Sequence, residues 1–411
     1  MDTKSLQRDF RWHRTCQFME ERELDGLLVF CGGPDLEQYL TNDRPGFFHV
    51  IFTCDGNIVA LSSNIPPVSS NFIAWERGEE PWLDDIRLAW TGVTLVDLLR
   101  EKGLDKKRVG VVGVGASGGS PMFRDGWIPF QTWASIKEGL PDTVFQDVTT
   151  DFTVLALERS PYDIECLRVA AAADEEACQA MIEATRVGAT ELDVYSAGMC
   201  SFYKNKSGLH VTVAMMTSGH DNFFWEPPAW LYRAQPPRTL EAGDIVMVET
   251  GASYAGMHSQ FQLAIAIGKV HPDHEKCAAT ARKAYEAGVA AIKPGTLFNE
   301  VCEVMEQPVR EIGGWHLTPM CHMMNPGAYG SSLGLDIEKQ VPEFARRYPG
   351  VRGRPGGVGG KLELKPGMTI ELEPNAHLGR HRVNIGGLVV VTKTGAEELH
   401  KIPTNLQRVS D

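Results

Sequence analysis

Residues Leu240–Gly268 read LEAGDIVMVETGASYAGMHSQFQLAIAIG, and this stretch decides the fold of the chain. The run Ile245–Tyr254 has the apolar, β-branched character of a strand, and the whole stretch predicts a hairpin. Because side chains alternate between the two faces of a strand, Glu249 and Gly251 share one face. The hairpin therefore presents a carboxylate on a defined face.

This hairpin resembles the signature of the creatinase/prolidase/methionine-aminopeptidase family, which runs L-x-x-G-D-x-V-x-V-D-x-G-A-x-Y-x-G-Y-x-S-D. In that family the second and third aspartates of the pattern bind a pair of divalent metals. Their positions hold Glu249 and Gln260 in this chain. A neutral amide is a poor ligand for a hard divalent cation. The resemblance therefore implies that the scaffold is kept and the metal site is rewritten.

The family's other three metal ligands fall in two C-terminal motifs and one glycine-containing segment. The histidine of H-G-I-G-L corresponds to Ser331, and the glutamate of P-G-M-x-x-x-x-E-P to Glu373. The glutamate of R-I-E-D corresponds to Gly386, since the segment Asn384–Gly387 reads NIGG. Of the five ligand positions only that of Glu373 is unchanged. Together with Glu249 this leaves two carboxylates, which cannot fill two metal sites. We therefore expect no metal and no cofactor.

The resemblance covers nearly the whole chain. Leu24–Val29 and Tyr39–Thr41 resemble the opening of the family's N-terminal domain, and Ser160–Arg168 resembles the entry into its C-terminal domain. The implied fold is α/β, with an N-terminal creatinase-type domain over residues 1–155 and a C-terminal pita-bread catalytic domain over residues 156–411. The family also implies a homodimer.

Bulk composition excludes several functional classes. The chain has 411 residues and a net charge of −13, so affinity for nucleic acid or an anionic membrane is not expected. No apolar run reaches the roughly 18 residues that a membrane helix needs, and no secretory leader is readable. Nine cysteines without a C-x-x-C pair indicate reduced, mostly buried thiols in a cytoplasmic protein.

A glycine-rich stretch after the run Arg108–Val112 matches G-x-G-x-x-G at Gly113–Gly118. A dinucleotide site also needs a helix to begin there, with its N-terminus facing the phosphates. The following Gly119-Ser120-Pro121 begins no helical period. We interpret the stretch as a surface loop and expect no nucleotide.

Polar residues at the family's cleft positions are the candidate site. Glu249, Glu373 and His258 are the acid/base candidates, because a buried carboxylate near a second one has a raised pKa. The other candidates are expected to contact a small-molecule substrate: Phe224, Trp225, Glu226, Trp230, Gln260, Gln262, Ser331, Ser332, Glu371 and His377. Alternatively, each carboxylate is an inactive remnant of the family's metal site, and His258 has only a structural role.

The segment 223–232 holds five aromatic residues where the family places a substrate-binding loop. Aromatic faces suit stacking on another ring or on a cation. Two readings stay open: the aromatics line the pocket, with Trp225 and Trp230 stacking on the substrate, or they pack a dimer interface.

Loss of the metal leaves two enzymatic hypotheses and one non-enzymatic hypothesis. The first is a metal-independent lyase that cleaves a small aromatic molecule by general acid/base elimination, as in formaldehyde release from lignin-derived phenylcoumarans, because elimination needs only a tuned carboxylate and an acid. The alternative is a metal-independent C–N hydrolase of the ectoine hydrolase or creatinase type. The third is an inactive peptidase-like binding protein.

Overall fold

A computed structural model describes residues 3–42, 48–56, 58–79, 81–115, 126–204, 210–221, 225–331, 337–348 and 361–410. The chain divides into two compact units, Met1–Tyr162 and Asp163–Asp411. The boundary predicted between residues 155 and 156 falls inside helix α6 (Thr149–Leu157). Residues 116–118 of the glycine-rich stretch lie outside the described residues.

The first unit is built on a six-stranded mixed sheet in the order β4-β3-β2-β1-β5-β6. Its strands are β1 (Gly26–Val29), β2 (His49–Phe52), β3 (Ile58–Ser62), β4 (Asp85–Leu88), β5 (Arg108–Val112) and β6 (Val144–Asp147). Its helices are α1 (Thr3–Glu21), α2 (Leu36–Thr41), α3 (Ile65–Glu76), α4 (Gly92–Glu101), α5 (Phe130–Gly139) and α6.

Strand β1 lies in the middle of this sheet and is fully buried, as its continuous apolar sequence Gly26–Val29 predicts. Leu27 and Val29 pack in one apolar cluster with residues of α1, α2 and α6, while Leu28 packs in another with residues of α4 and α5. This alternation places one core on each face of the sheet.

The described residues of the second unit form a ten-stranded sheet, a two-stranded sheet and six helices. The helices are α7 (Pro161–Ala184), α8 (Glu191–Lys204), α9 (Pro272–Ala291), α10 (Phe298–Glu311), α11 (Ile337–Gln340) and α12 (Pro342–Arg347), with a short 3₁₀ turn at Ala229–Leu231. The strands are β7 (His210–Gly219), β8 (Ile245–Tyr254), β9 (Met257–His258), β10 (Phe261–Ile267), β11 (Cys321–Met324), β12 (Ala328–Gly330), β13 (Thr369–Leu372), β14 (Asn375–Leu378), β15 (His381–Asn384), β16 (Gly386–Val391), β17 (Ala396–Glu398) and β18 (Gln407–Val409).

The central strands of the larger sheet run in the order β12-β11-β13-β16-β10-β8-β7. Strands β8 and β10 form the hairpin predicted from the sequence, and their antiparallel register places Glu249 opposite Gln262. Strand β13 lies between β11 and β16, with Glu371 opposite His322. The sheet therefore brings polar residues that are far apart in the chain onto neighbouring strands.

The fold class predicted from the sequence is confirmed: the chain is a mixed α/β protein of two units with the pita-bread fold. Within the parts of the chain that the structure describes, no helix is long and apolar enough to cross a membrane.

The prediction of reduced thiols is wrong for one pair of cysteines. Cys16 on α1 and Cys54 after β2 form a disulfide, with Cα atoms 5.5 Å apart, within the range a disulfide requires. Cys16 and Cys54 are 38 residues apart, and their spacing matches no local cysteine motif. The other seven cysteines form no disulfide within the described residues, and all of these except Cys200 are buried.

Candidate active site

A single side-chain amide joins the two candidate catalytic glutamates. Nε2 of Gln262 donates a hydrogen bond of 2.9 Å to Oε2 of Glu249 and another of 2.9 Å to Oε2 of Glu373. Oε1 of Gln262 accepts a 2.9 Å bond from Nδ2 of Asn384. These three contacts fix the orientation of the amide, because only its NH2 group can donate to two carboxylates.

Glu373 lies directly after β13 and is almost fully buried. Its backbone N–H donates to the carbonyl of Met320 at 2.9 Å, which holds the residue beside β11. Nε2 of His322, on β11, lies 3.6 Å from Oε1 of Glu373. Burial, followed by the charge of Glu249, holds the pKa of Glu373 well above its ordinary value. Burial lowers the pKa of His322, which favours a neutral ring at pH 7.

Glu249 is more accessible than Glu373, being only partly buried on β8. Burial raises its pKa, and the hydrogen bond from Gln262, the charge of Arg382 and a hydrogen bond from the Trp225 indole oppose that rise. The pKa of Glu249 is therefore raised less than that of Glu373. Of these two carboxyls, Glu249 ionises first as the pH increases.

A buried arginine supplies a positive charge to the carboxylates. Arg382 on β15 is fully buried, and its guanidinium carbon lies 4.5 Å from the centre of the Trp225 ring. Burial lowers the pKa of Arg382 to about 9, opposed by the charges of Glu373 and Glu249. The guanidinium therefore remains charged at neutral pH, and the Trp225 face packs against it in a cation–π contact.

A third glutamate shares the face of β13 with Glu373. Glu371 has no exposed surface, and within the described residues neither carboxyl oxygen has a hydrogen-bond partner. Burial first, and then the charges of Glu373 and Glu249, hold its pKa well above the ordinary value. An unpartnered buried carboxylate is costly, so Glu371 is held as the neutral acid.

The charge balance of this cluster determines its chemistry. Among the groups just described, Arg382 is the cation that interacts with Glu249 and Glu373, and the charges of these two glutamates also act on Glu371. Carboxyl groups that share a buried site cannot all ionise, because their negative charges repel one another. The arrangement therefore favours one ionised carboxylate, at Glu249, together with protonated carboxyls at Glu371 and Glu373. Such a pair of acid and base is what proton transfer near neutral pH requires.

A pair of divalent metals does not fit this donor set. The NH2 group of Gln262 points donor hydrogens at the two carboxylates that would have to bind the metals. The Ser331 hydroxyl accepts the backbone N–H of Met320 at 2.6 Å. A Cβ atom on Gly386 would lie 2.1 Å from the carbonyl oxygen of Leu372, so a glutamate there would require the strands to separate. Hard divalent cations need several carboxylate oxygens that this arrangement does not supply.

Two of the predicted site residues are histidines with contacts to other parts of the second unit. Nδ1 of His258 is hydrogen-bonded to the Ser253 hydroxyl, and its backbone exchanges hydrogen bonds with the Asn325 side chain. His377 stacks on the Trp315 ring at 4.0 Å. The contacts just given join these two histidines to residues outside the glutamate cluster, and the acid/base role of His258 stays a prediction.

The predicted binding loop is divided in the structure. Trp225 contacts the site through Glu249 and Arg382, whereas Trp230 packs edge-to-face on Tyr195, with ring centres 5.2 Å apart. Glu226 forms an ion pair of 3.4 Å with Arg233. The pocket reading fits Trp225, and the packing reading fits Trp230.

The amide that reaches Glu249 belongs to Gln262 rather than to Gln260, which is half-buried after β9. Both glutamines were predicted to contact the substrate, and the antiparallel register places Gln262 opposite Glu249; their contact with a substrate stays a prediction. Ser331 is buried beside Met320. Phe224 and Ser332 lie outside the described residues.

Two residues of the cluster were missed from the sequence. Arg382 lies two residues before Asn384, where the R-I-E-D resemblance places an arginine, and strand alternation puts both on one face. The two-residue offset between Arg382 and the arginine of the motif could have been noticed from the sequence. His322 reaches Glu373 only because β11 pairs with β13, a pairing for which the sequence carries no local signal.

Three comparisons with known proteins agree with this architecture. Residues 165–393 match the model of metallopeptidase family M24, which covers more than half of the chain. A probable dipeptidase, PepE, of Mycobacterium tuberculosis is 26% identical over 254 residues, covering 61% of this chain. The matched region spans 60% of the length of that dipeptidase.

Solved structures show the same fold at low sequence identity. Dipeptidase PepE from Mycobacterium ulcerans superposes with a TM-score of 0.72 and 20% identity, covering 100% of both chains. An Xaa-Pro dipeptidase from Bacillus anthracis gives a TM-score of 0.70 and 19% identity, covering 98% of this chain and 100% of that one.

Proposed function

The chain belongs to metallopeptidase family M24, and on that premise we propose that it is a hydrolase of C–N bonds in a small substrate, working through its own glutamates in place of a metal pair. The observation that carries the proposal is the bridge from Gln262 to Glu249 and Glu373, beside the buried Arg382.

The hydrolytic class is favoured by the relatives. The similar proteins bear the names dipeptidase and Xaa-Pro dipeptidase, and both names describe cleavage of an amide C–N bond. No comparison supports the aromatic lyase that the sequence suggested first. The C–N hydrolase, given as the alternative, agrees better with the family.

Catalysis without a metal is favoured by the donor set. Water must then be activated by a protein base, and Glu249 suits that role because it is the more accessible carboxyl and the one that ionises first. Arg382 and the Trp225 indole stabilise the ionised form of Glu249. The proposal therefore places the attacked bond beside Glu249.

The proposed step transfers two protons. Glu249 accepts a proton from water while the water oxygen bonds to the carbonyl carbon of the substrate. The C–N bond then breaks, and protonated Glu373 donates its proton to the leaving nitrogen. Exchange with solvent returns the proton from Glu249 to Glu373. Positioned acid and base groups of this kind contribute roughly 10²–10⁴-fold each.

The buried Arg382 contributes positive charge to the site, which favours an anionic group on the substrate, and the partly buried Trp225 offers an apolar wall. Short dipeptides and compact zwitterionic amides combine an anionic group with a C–N bond. These are the substrate classes that we propose, with a homodimer as the assembly.

Substrate binding can be tested by thermal shift on the purified chain. One panel holds dipeptides, including Xaa-Pro dipeptides; a second holds compact zwitterions such as ectoine and creatine; a third holds lignin-type aromatic dimers. A ligand at a hundredfold excess over its Kd stabilises by about 2.7 kcal/mol. A response confined to the aromatic panel would return the lyase reading to first place.

The reaction class is tested on any ligand that is turned over. Hydrolysis in oxygen-labelled water incorporates one labelled oxygen into the product, whereas elimination need not. Turnover that survives extensive chelation supports the glutamate mechanism. Inactivation by chelators, with recovery on adding a divalent metal, would contradict the metal-free proposal and leave the hydrolase assignment intact.

A further inference from the structure

Helix α3 of the first unit presents large apolar side chains to solvent. Ile65, Phe72 and Trp75 have 66%, 55% and 67% of their surface exposed. Together with the partly buried Val68 they recur at spacings of three and four residues, so these four residues form one stripe along the helix, the α3 stripe. The rings of Phe72 and Trp75 have centres 5.8 Å apart, so the two aromatic residues form one continuous end of the stripe.

The α3 stripe is distinct from the face by which this helix packs within the first unit. Pro67 is buried, and Nδ2 of Asn71 donates a 2.6 Å hydrogen bond to the carbonyl of Leu83. Pro67, Asn71 and Ala74 share that packing face, because they are four and three residues apart. The helix therefore packs through small side chains and leaves its bulkiest apolar side chains in water. Exposed apolar surface of this kind is typical of an interaction site.

We propose that the α3 stripe is the surface through which two copies of this chain pair about a two-fold axis. The stripe is self-complementary in its spacing, as a two-fold interface requires. In an antiparallel pair of α3 helices centred at residue 70, Ile65 faces the partner's Trp75 and Val68 faces the partner's Phe72. Each branched aliphatic side chain then meets an aromatic ring, and each contact occurs twice. Smaller and larger side chains that face each other in this way fill an interface without voids.

The exposed area of the α3 stripe fits the apolar centre of a stable dimer. Large apolar side chains offer about 150–250 Å² each, so the exposed parts of Ile65, Phe72 and Trp75 amount to roughly 350 Å² per copy. A stable interface buries about 800 Å² per partner, with an apolar centre and a polar rim. The stripe therefore supplies nearly half of the required area, and the exposed Ser69 and Glu76 beside it supply part of the rim.

Charge favours a second copy over a lipid surface as the occupant of the α3 stripe. Helices that lie on membranes carry lysine and arginine on their polar face, whereas the one charged residue of α3 is Glu76 and the net charge of the chain is −13. In the antiparallel pair Glu76 lies beside the N-terminus of the partner's α3, whose partial positive charge favours a carboxylate. The pairing uses the first unit alone, so it is independent of the reaction at the glutamate cluster.

The experiment is sedimentation equilibrium of the full chain over a range of concentrations. We expect the unaltered chain to form a dimer. Phe72→Ala and Trp75→Ala should each weaken dimerisation about tenfold or more, the size of loss that follows truncation of a central aromatic residue in an interface. Both side chains are more than half exposed, so circular dichroism of each variant should show an unchanged fold.

Two control variants remove exposed aromatic residues elsewhere. Phe130 on α5 is 85% exposed, and Tyr232 belongs to the aromatic segment 223–232, the other candidate for a dimer interface. Phe130→Ala and Tyr232→Ala should leave the dimerisation constant unchanged. A dimer that is unaffected by Phe72→Ala and Trp75→Ala, or that is lost in Tyr232→Ala, would overturn the proposal, as would a monomer at every concentration.

Co-sedimentation with phosphatidylserine vesicles tests the lipid alternative. We expect no binding of the unaltered chain. Vesicle binding that is lost in Trp75→Ala would assign the α3 stripe to a membrane and would also overturn the proposal.

Discussion

Gln262 and Glu373 are joined by a 2.9 Å hydrogen bond from an amide NH2 group to a carboxyl oxygen, at a site where the family resemblance places metal ligands. The same NH2 group contacts Glu249. An amide that donates to two acids replaces the attraction that a cation would provide, and it holds both carboxyls in one geometry. The predictions below test this arrangement.

Replacing either bridged carboxyl by an amide should abolish the proposed proton transfers. We expect Glu249→Gln and Glu373→Gln each to lower kcat by roughly 10²–10⁴-fold, because an amide neither accepts nor donates a proton as a carboxyl does. Steady-state kinetics on a substrate found by thermal shift measures the effect. Glu303→Gln, an exposed position on α10, is the matched control and should retain full activity. Full activity in a variant that carries both Glu249→Gln and Glu373→Gln would mean that the active site lies elsewhere in the protein.

The buried acid Glu371 should make stability depend on pH. Its folded-state pKa is raised, so between the ordinary glutamate value of about 4.3 and that raised value the folded protein holds a proton that the unfolded chain has released. The contribution of Glu371 to the free energy of unfolding is therefore fully present below about pH 4.3. It is lost as the pH rises, by at most about 1.4 kcal/mol per pH unit.

Glu371→Gln mimics the protonated acid and should remove that part of the pH dependence. Urea unfolding at a series of pH values measures it: the variant gains stability relative to the unaltered chain as the pH increases. Glu303→Gln should reproduce the original slope. Parallel curves for the Glu371→Gln variant and the unaltered chain would show that Glu371 is ionised in the folded state.

Removing the buried cation should affect stability and activity together. Arg382→Met keeps the apolar contact with Trp225 but leaves the carboxyls without their positive neighbour. We expect a loss of about 3–5 kcal/mol, typical of breaking a buried charge interaction. The pKa of Glu249 should rise, so the acidic limb of the activity profile should move to higher pH.

Arg380→Met is the control for Arg382→Met, because Arg380 is half-exposed in an ion pair of 3.5 Å with Asp221. It should change stability by less than about 1 kcal/mol, as surface pairs do. Chemical denaturation and a pH–rate profile supply both readouts. An unshifted acidic limb in Arg382→Met would exclude Arg382 as the group that tunes Glu249.

The close approach of β16 to β13 should prevent restoration of the family's fifth ligand. The Cβ of Gly386→Ala would meet the Leu372 carbonyl oxygen at 2.1 Å and the Cα of Glu373 at 2.8 Å. We expect destabilisation of about 1–3 kcal/mol or more, since backbone atoms must shift. Gly327→Ala, where no atom lies within 4 Å of the added carbon, should change the Tm far less. Equal effects at both positions would contradict the packing that excludes a carboxylate here.

Much of the fold was predictable because strands and helices have local patterns. The strand Ile245–Tyr254 and the hairpin that it begins were recognisable from the apolar, β-branched run, and both are present. The choice of Glu249 and Glu373 came from motif positions alone. The roles of these residues, and of the other site residues, remain predictions.

The sequence by itself determined that the chain has the two-domain scaffold, that family ligand positions hold Gln260, Ser331 and Gly386, and that no signal for a nucleotide site survives. Only the tertiary structure decided that Gln262, and not Gln260, bridges the glutamates, and that His322 and Arg382 join them. The physical reason is that strand pairing and the β-hairpin register depend on contacts between distant segments, so a residue's partner across a sheet is not encoded in its own neighbourhood.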